Sequence, residues 1–152
     1  MTNAQRLALK VAAVLWVIWG LVHALAGISV LASDASGGFA LIADAVEAES
    51  LMADYHPAVG AILNQHAWNL LWAGVATTVG ALFVWRANLT SIWVTGMVGG
   101  LFDIGYLLFV DIPGYVNFFP GTVMTFVSGT AIVLSFWVWL SNRPSGATQG
   151  AT

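Results

Sequence analysis

The chain has no cysteine. Disulfides, thiolate metal sites and thiol redox catalysis are therefore excluded, and quinone-linked disulfide chemistry with them. Charge is also scarce. Only 7% of the 152 residues are Asp, Glu, Lys or Arg, against roughly 25% in soluble domains. Such a chain cannot cover a water-facing surface, so lipid is its expected solvent. The net charge is −3 and the four basic residues do not cluster, which gives no footing for a nucleic-acid partner. There is no G-x-S-x-G elbow for nucleophilic hydrolysis, no phosphate-binding loop and no dinucleotide fingerprint. Gly99-Gly100 falls within an apolar run rather than after a strand.

What is abundant is apolar sequence: 59% of the residues are hydrophobic, and the mean hydropathy is +0.86. A membrane span needs about 20 mostly apolar residues. Four segments qualify, at residues 9–32, 61–86, 90–110 and 120–140. The second has an alternative start at Pro57, because proline suits the first turn of a helix. Arg6 and Lys10 before an apolar run resemble a secretion signal. The run from Val11 to Ala32 is too long for that and contains His23, so a retained helix is expected. The reading is one domain over residues 1–152, an all-α integral membrane protein built as a four-transmembrane-helix bundle. Residues 142–152 form a polar tail expected to be disordered.

Topology follows from charge. If the spans alternate, Arg6, Lys10, Arg86 and Arg143 share one side. Asp34, Asp44, Glu47, Glu49, Asp54 and Asp111 share the other. Positive charge stays cytoplasmic, so both termini are expected inside, in the cytoplasmic membrane. Trp85, Trp93, Trp137 and Trp139 then fall near the inner interface, where indoles accumulate.

The first outer loop, residues 33–60, is long. Leu41, Ala45, Ala48 and Met52 recur at helical spacing, which predicts a short amphipathic helix packed on the bundle or gating a pocket. Small residues at four-residue spacing, Ala76/Gly80, Gly96/Gly100 and Gly121/Thr125/Gly129, predict close helix packing. They leave a homodimer or a larger membrane complex open.

Asp103 lies in mid-span, about 12 Å below the outer end of its helix. A carboxylate there costs roughly 2.5–3.5 kcal/mol, so it is expected to face the interior and to have a partner. His23 falls about 13 Å deep on a parallel helix and is the expected partner. Ser128 reaches the same level, Asn69 lies about a turn higher, His66 stands near the mouth, and Tyr106 follows Asp103 by one turn. The inner half holds few polar side chains beyond Thr77, Thr78 and Thr95.

Two readings stay open. One is a buried pair that fixes helix register. The other is an outward polar pocket of His23, Asp103, Asn69, His66, Ser128 and Tyr106 that binds or passes a small polar species or a proton. Further alternatives are a membrane-embedded enzyme or redox/haem subunit acting on a lipophilic substrate such as a quinone or isoprenoid, and a structural subunit of a larger complex. No cofactor is favoured. His23 and His66 differ by about 10 Å in estimated depth, which strains bis-histidine haem ligation. His23, His66 and Asp103 as a metal set lack any HxxxH or ExxH spacing. The Trp16, Trp19 and His23 face reads as core packing, and His56 as a surface histidine.

Overall fold

A computed structural model of the chain describes residues 1–143. The first long helix, α1 (Asn3–Leu31), starts six residues before the apolar run because Thr2 and Gln5 form a reciprocal capping box. Helix α4 (Pro57–Trp85) uses the earlier of its two expected starts. Pro57 supplies the first turn, and His56 accepts a hydrogen bond from the Ala58 N–H at 3.2 Å. His56 is thus a helix cap rather than a plain surface histidine. Helix α5 (Leu89–Tyr106) is capped by Asn88, whose side chain accepts from the Ser91 N–H. It runs on through a wider π-helical turn at Leu107–Asp111. A kinked turn at Phe118–Thr122, with Phe119 in extended geometry, leads into α6 (Val123–Asn142). Asn142 is therefore helical, Arg143 caps the helix, and residues 144–152 of the expected tail lie outside the described residues.

Each of these four helices is long and apolar enough to cross a membrane. No strand occurs among the described residues. At 1.5 Å per residue the 29-residue α1 and α4 are about 44 Å long. That exceeds a hydrocarbon core of about 30 Å, so in a bilayer they would tilt or protrude.

Helix α1 packs along α4 and α6, and α5 packs along the same two. The tightest seam joins α1 to α4. Gly27 meets Ala67 and Leu71, and Gly20 meets Gly74 across touching backbones. Ala13 and Ala81 are both buried at the end of the same seam. Each helix thus presents a small residue every seven positions, at 13, 20 and 27 and at 67, 74 and 81. A seven-residue repeat keeps one stripe in register along a left-handed pair. The four-residue stripes behave unevenly. Gly96 and Gly100 seat Phe136 and Ile132 of α6, and Gly80 faces Thr95, but a side chain at Gly129 would meet nothing.

The loop after α1 forms two short helices rather than one. Helix α2 (Ala35–Ile42) is capped by the Asp34 carboxylate on the Gly37 N–H, and α3 (Ala48–Leu51) is a single turn. Leu41, Ala45, Ala48 and Met52 do not make one buried stripe. The chain leaves helical geometry after Ile42, and Met52 is 77% exposed. The break has a cause. The Asn117 N–H donates to the Asp44 carboxylate at 2.7 Å, and the Ala45 N–H donates to the Tyr115 carbonyl at 3.0 Å. These bonds pull residues 44 and 45 onto the α5–α6 loop.

The four basic residues sit at one end of the molecule and six of the seven acids at the other. At the basic end Lys10 lies over Trp85 at 5.3 Å and Arg143 over Trp139 at 5.7 Å. Trp93 packs edge-on against Phe136 and Trp139.

Candidate functional site

Asp103 is buried, at 5% exposure, and held from two helices. From α1 the Trp19 indole N–H donates to both carboxylate oxygens at 3.0 Å. From α6 the Ser128 hydroxyl donates to Oδ2. The sequence assigns Trp19 to packing alone. Its ring is fully buried, but its N–H is the main donor to the carboxylate. A signal for this role exists in the spacing: Trp19 and His23 are four residues apart, so whatever faces one on α1 comes within reach of the other.

His23 stacks on the Trp19 ring with centroids 3.7 Å apart. Its Nδ1 lies 2.8 Å from the Trp19 carbonyl. A carbonyl only accepts, so Nδ1 carries a hydrogen. The other nitrogen, Nε2, stands 3.9 Å from Asp103 Oδ1. That is ion-pair distance and too long for a direct hydrogen bond. If the imidazole is neutral, a bare lone pair faces a carboxylate oxygen. One proton on either group would relieve that opposition, as imidazolium beside carboxylate or as imidazole beside carboxylic acid.

A cavity of about 100 Å³ adjoins this pair, and His23, His66, Asp103 and Tyr106 all line it. Leu41 and Ile42 at the end of α2 roof it, and Pro120 and Gly121 close the α6 side. His66 therefore lies closer to His23 than the sequence estimate of about 10 Å in depth allows. A helix start at residue 61 would put His66 only about 7–8 Å from its helix end. Counted from Pro57, His66 stands nine residues inside α4 and His23 eight inside α1, so both are about 12–14 Å from their helix ends.

Asn69 is not brought to the cavity. Its side-chain oxygen accepts from the Trp72 indole at 3.0 Å. It sits three positions from His66, whereas Leu70, at four, shares the His66 face and does line the cavity. Ser128 lies behind Asp103 and supports it rather than lining the space. Thr122 donates to Asp111 at 2.8 Å. Among the described residues no three His, Asp or Glu side chains converge as a metal-binding group.

A second opening reaches the same groups from the side. It is a cleft of about 450 Å³ between α4 and α5, which shares His23, His66, Leu70, Asp103 and Tyr106 with the central cavity. Its outer walls are apolar, with Leu101 63% and Phe109 74% exposed on the perimeter. Toward the basic end no comparable polar cluster occurs among the described residues. Thr77, Thr78 and Ser135 turn their hydroxyls back onto backbone carbonyls of their own helices.

No family model matches the chain, and neither a curated protein nor a solved structure matches it.

Proposed function

We propose that the chain is a four-span integral protein of the cytoplasmic membrane, with both termini inside, whose outward polar cavity binds a small polar species or a proton. The observation that carries this reading is the convergence of His23, His66, Asp103 and Tyr106 on one cavity at the acidic end. Intramembrane ionisable groups that face a cavity mark binding or proton sites by default. The hydrogen-bond pattern of His23 adds weight, because its Nε2 and the Asp103 carboxylate together suit one proton. Toward the basic end the Thr77, Thr78 and Ser135 hydroxyls turn back onto their own helices and offer no polar path, so a gated carrier or an accessory binding subunit fits better than an open channel. The segment after α2, tied to the α5–α6 loop through Asp44, Ala45, Tyr115 and Asn117, is suited to holding a cover over the mouth.

A second reading, an enzyme or redox subunit acting on a lipophilic substrate such as a quinone or isoprenoid, draws on the cleft between α4 and α5.

The absence of native cysteine makes thiol chemistry a clean test of the first reading. Ser36→Cys and His66→Cys should both react in intact cells with a small charged thiol reagent added outside. A reporter fused after Thr152 should report cytoplasm. Labelling of Ser36→Cys alone would mean that the cavity is sealed. Labelling of either only after lysis would reverse the orientation.

A further inference from the structure

We infer that the cavity takes the head of a single-chain amphiphile that enters sideways between α4 and α5, and that this head carries no negative charge. The inference rests on the membrane reading above and names the ligand class for the same site.

Size is the first argument. The central cavity holds about 100 Å³ and the lateral cleft about 450 Å³. Ligand sites usually offer roughly 300–1,000 Å³. The space for a ligand's bulk is therefore in the apolar cleft, and only a small polar head fits among His23, His66, Asp103 and Tyr106. Polarity is graded in the same direction. Leu70, Leu101 and Phe109 line the way in, and the hydrogen-bonding groups stand at its inner end.

Charge is the second argument. Asp103 is the one carboxylate that lines the central cavity and the cleft. The four Lys and Arg residues lie at the far end of the helices. An anionic head would meet that carboxylate and no Lys or Arg side chain. A hydroxyl, carbonyl or ammonium head would find both donors and acceptors.

Gly105 is the third. It lines the cleft, and a side chain built there would meet nothing within 4 Å. No packing contact accounts for the missing side chain, and its absence keeps the cleft wide. The same fact supplies a plug, because a larger residue fits there without disturbing the fold.

The test uses the His66→Cys variant in nanodiscs and two thiol reagents, a decyl methanethiosulfonate that partitions into lipid and a charged sulfonatoethyl analogue that does not. The decyl reagent should label the introduced thiol, and Gly105→Trp in the same background should slow it severalfold while leaving the charged reagent unaffected. Dodecanol and dodecylammonium at equal bilayer content should protect against the decyl reagent, and dodecanesulfonate should not. Labelling by the charged reagent alone, or decyl labelling indifferent to Gly105→Trp, would overturn lateral entry and leave the cavity reading intact. Equal protection by all three amphiphiles would overturn the exclusion of anionic heads. Failure of both reagents would overturn lateral entry and the cavity reading together.

Discussion

The two ends of this molecule solve opposite problems with the same four helices. Helices α1 and α4 touch backbone to backbone at Gly20 and Gly74 near mid-bundle and again at Gly27 and Ala67 toward the acidic end, and the seam runs on to Ala13 and Ala81 at the basic end. Toward the basic end the Thr77, Thr78 and Ser135 hydroxyls bond to their own helices, and the Trp16 indole N–H and the Thr95 hydroxyl stay buried without a partner. Toward the acidic end the chain departs from regular α-geometry at Leu107–Asp111 and at the kink in Phe118–Thr122, and the one buried carboxylate among the described residues is held by Trp19 and Ser128. Buried polar side chains around a shared cavity and irregular backbone occur together at the acidic end. In a chain with so few charges, that concentration separates a site from a scaffold. π-Turns within helices are themselves frequent at functional sites.

The seam is the sharpest place to break the comparison. Gly74→Leu would drive a side chain into the backbone of α1 around Gly20 and Ala24. Ordinary overpacking costs about 1–3 kcal/mol. Rigid backbone cannot yield as a side chain does, so the cost should reach or exceed the top of that range, measured by unfolding in mild detergent. A cost below about 1 kcal/mol would mean that α1 and α4 are not in backbone contact.

Trp19→Phe keeps an aromatic ring but removes the N–H that donates to both oxygens of Asp103, together with part of a fully buried side chain. Hydrogen bonds to charged groups are worth about 1.5–3 kcal/mol, and a loss of that order is expected. Combining it with Ser128→Ala should be non-additive, because both donors serve one carboxylate. Additive losses would show that the two do not share it.

Gly96→Ala would place a methyl against the Phe136 ring and should cost about 1–3 kcal/mol. Gly129→Ala, in the same type of stripe, meets nothing. It should be neutral or stabilising by up to about 1 kcal/mol through helix propensity. Equal losses at both positions would point to a helix–helix contact at Gly129 in an assembly of several chains.

The smallest effect is expected at Met52→Asp. Met52 is exposed and holds nothing down, so stability should change by no more than about 0.5 kcal/mol. Hydrogen exchange over residues 39–54 should stay the same. A rise in exchange would restore the single docked amphipathic helix.

These contrasts also mark what the residues reveal in advance. Span number and helix limits are legible because apolar runs of about twenty residues leave little choice, and Asp103 stands out because a carboxylate in such a run is costly. The α1–α4 seam escapes a search for small residues at four-residue spacing, whereas positions 13, 20, 27 and 67, 74, 81 repeat every seven. Trp19 escapes notice because an indole reads as apolar bulk, and its N–H matters only once a partner from another helix is known. The break after Ile42 depends on Asp44 meeting Asn117, 73 residues away, a pairing that no local pattern announces. The lateral cleft depends on how far α4 and α5 diverge, which their short connection does not reveal.

The contrast between a wet end and a dry one is tested most directly on the wild-type protein by hydroxyl-radical footprinting in nanodiscs. Radicals formed from water oxidise methionines that water reaches, and three methionines sample three environments. Met52 is exposed in the acidic-end loop, Met124 lines the polar cavity, and Met97 lies on the helix perimeter of α5. Oxidation of Met52 and Met124 with Met97 spared is the expected result. Met124 as silent as Met97, with Met52 oxidised, would show that no water reaches the cavity and would contradict the assignment of a polar site there.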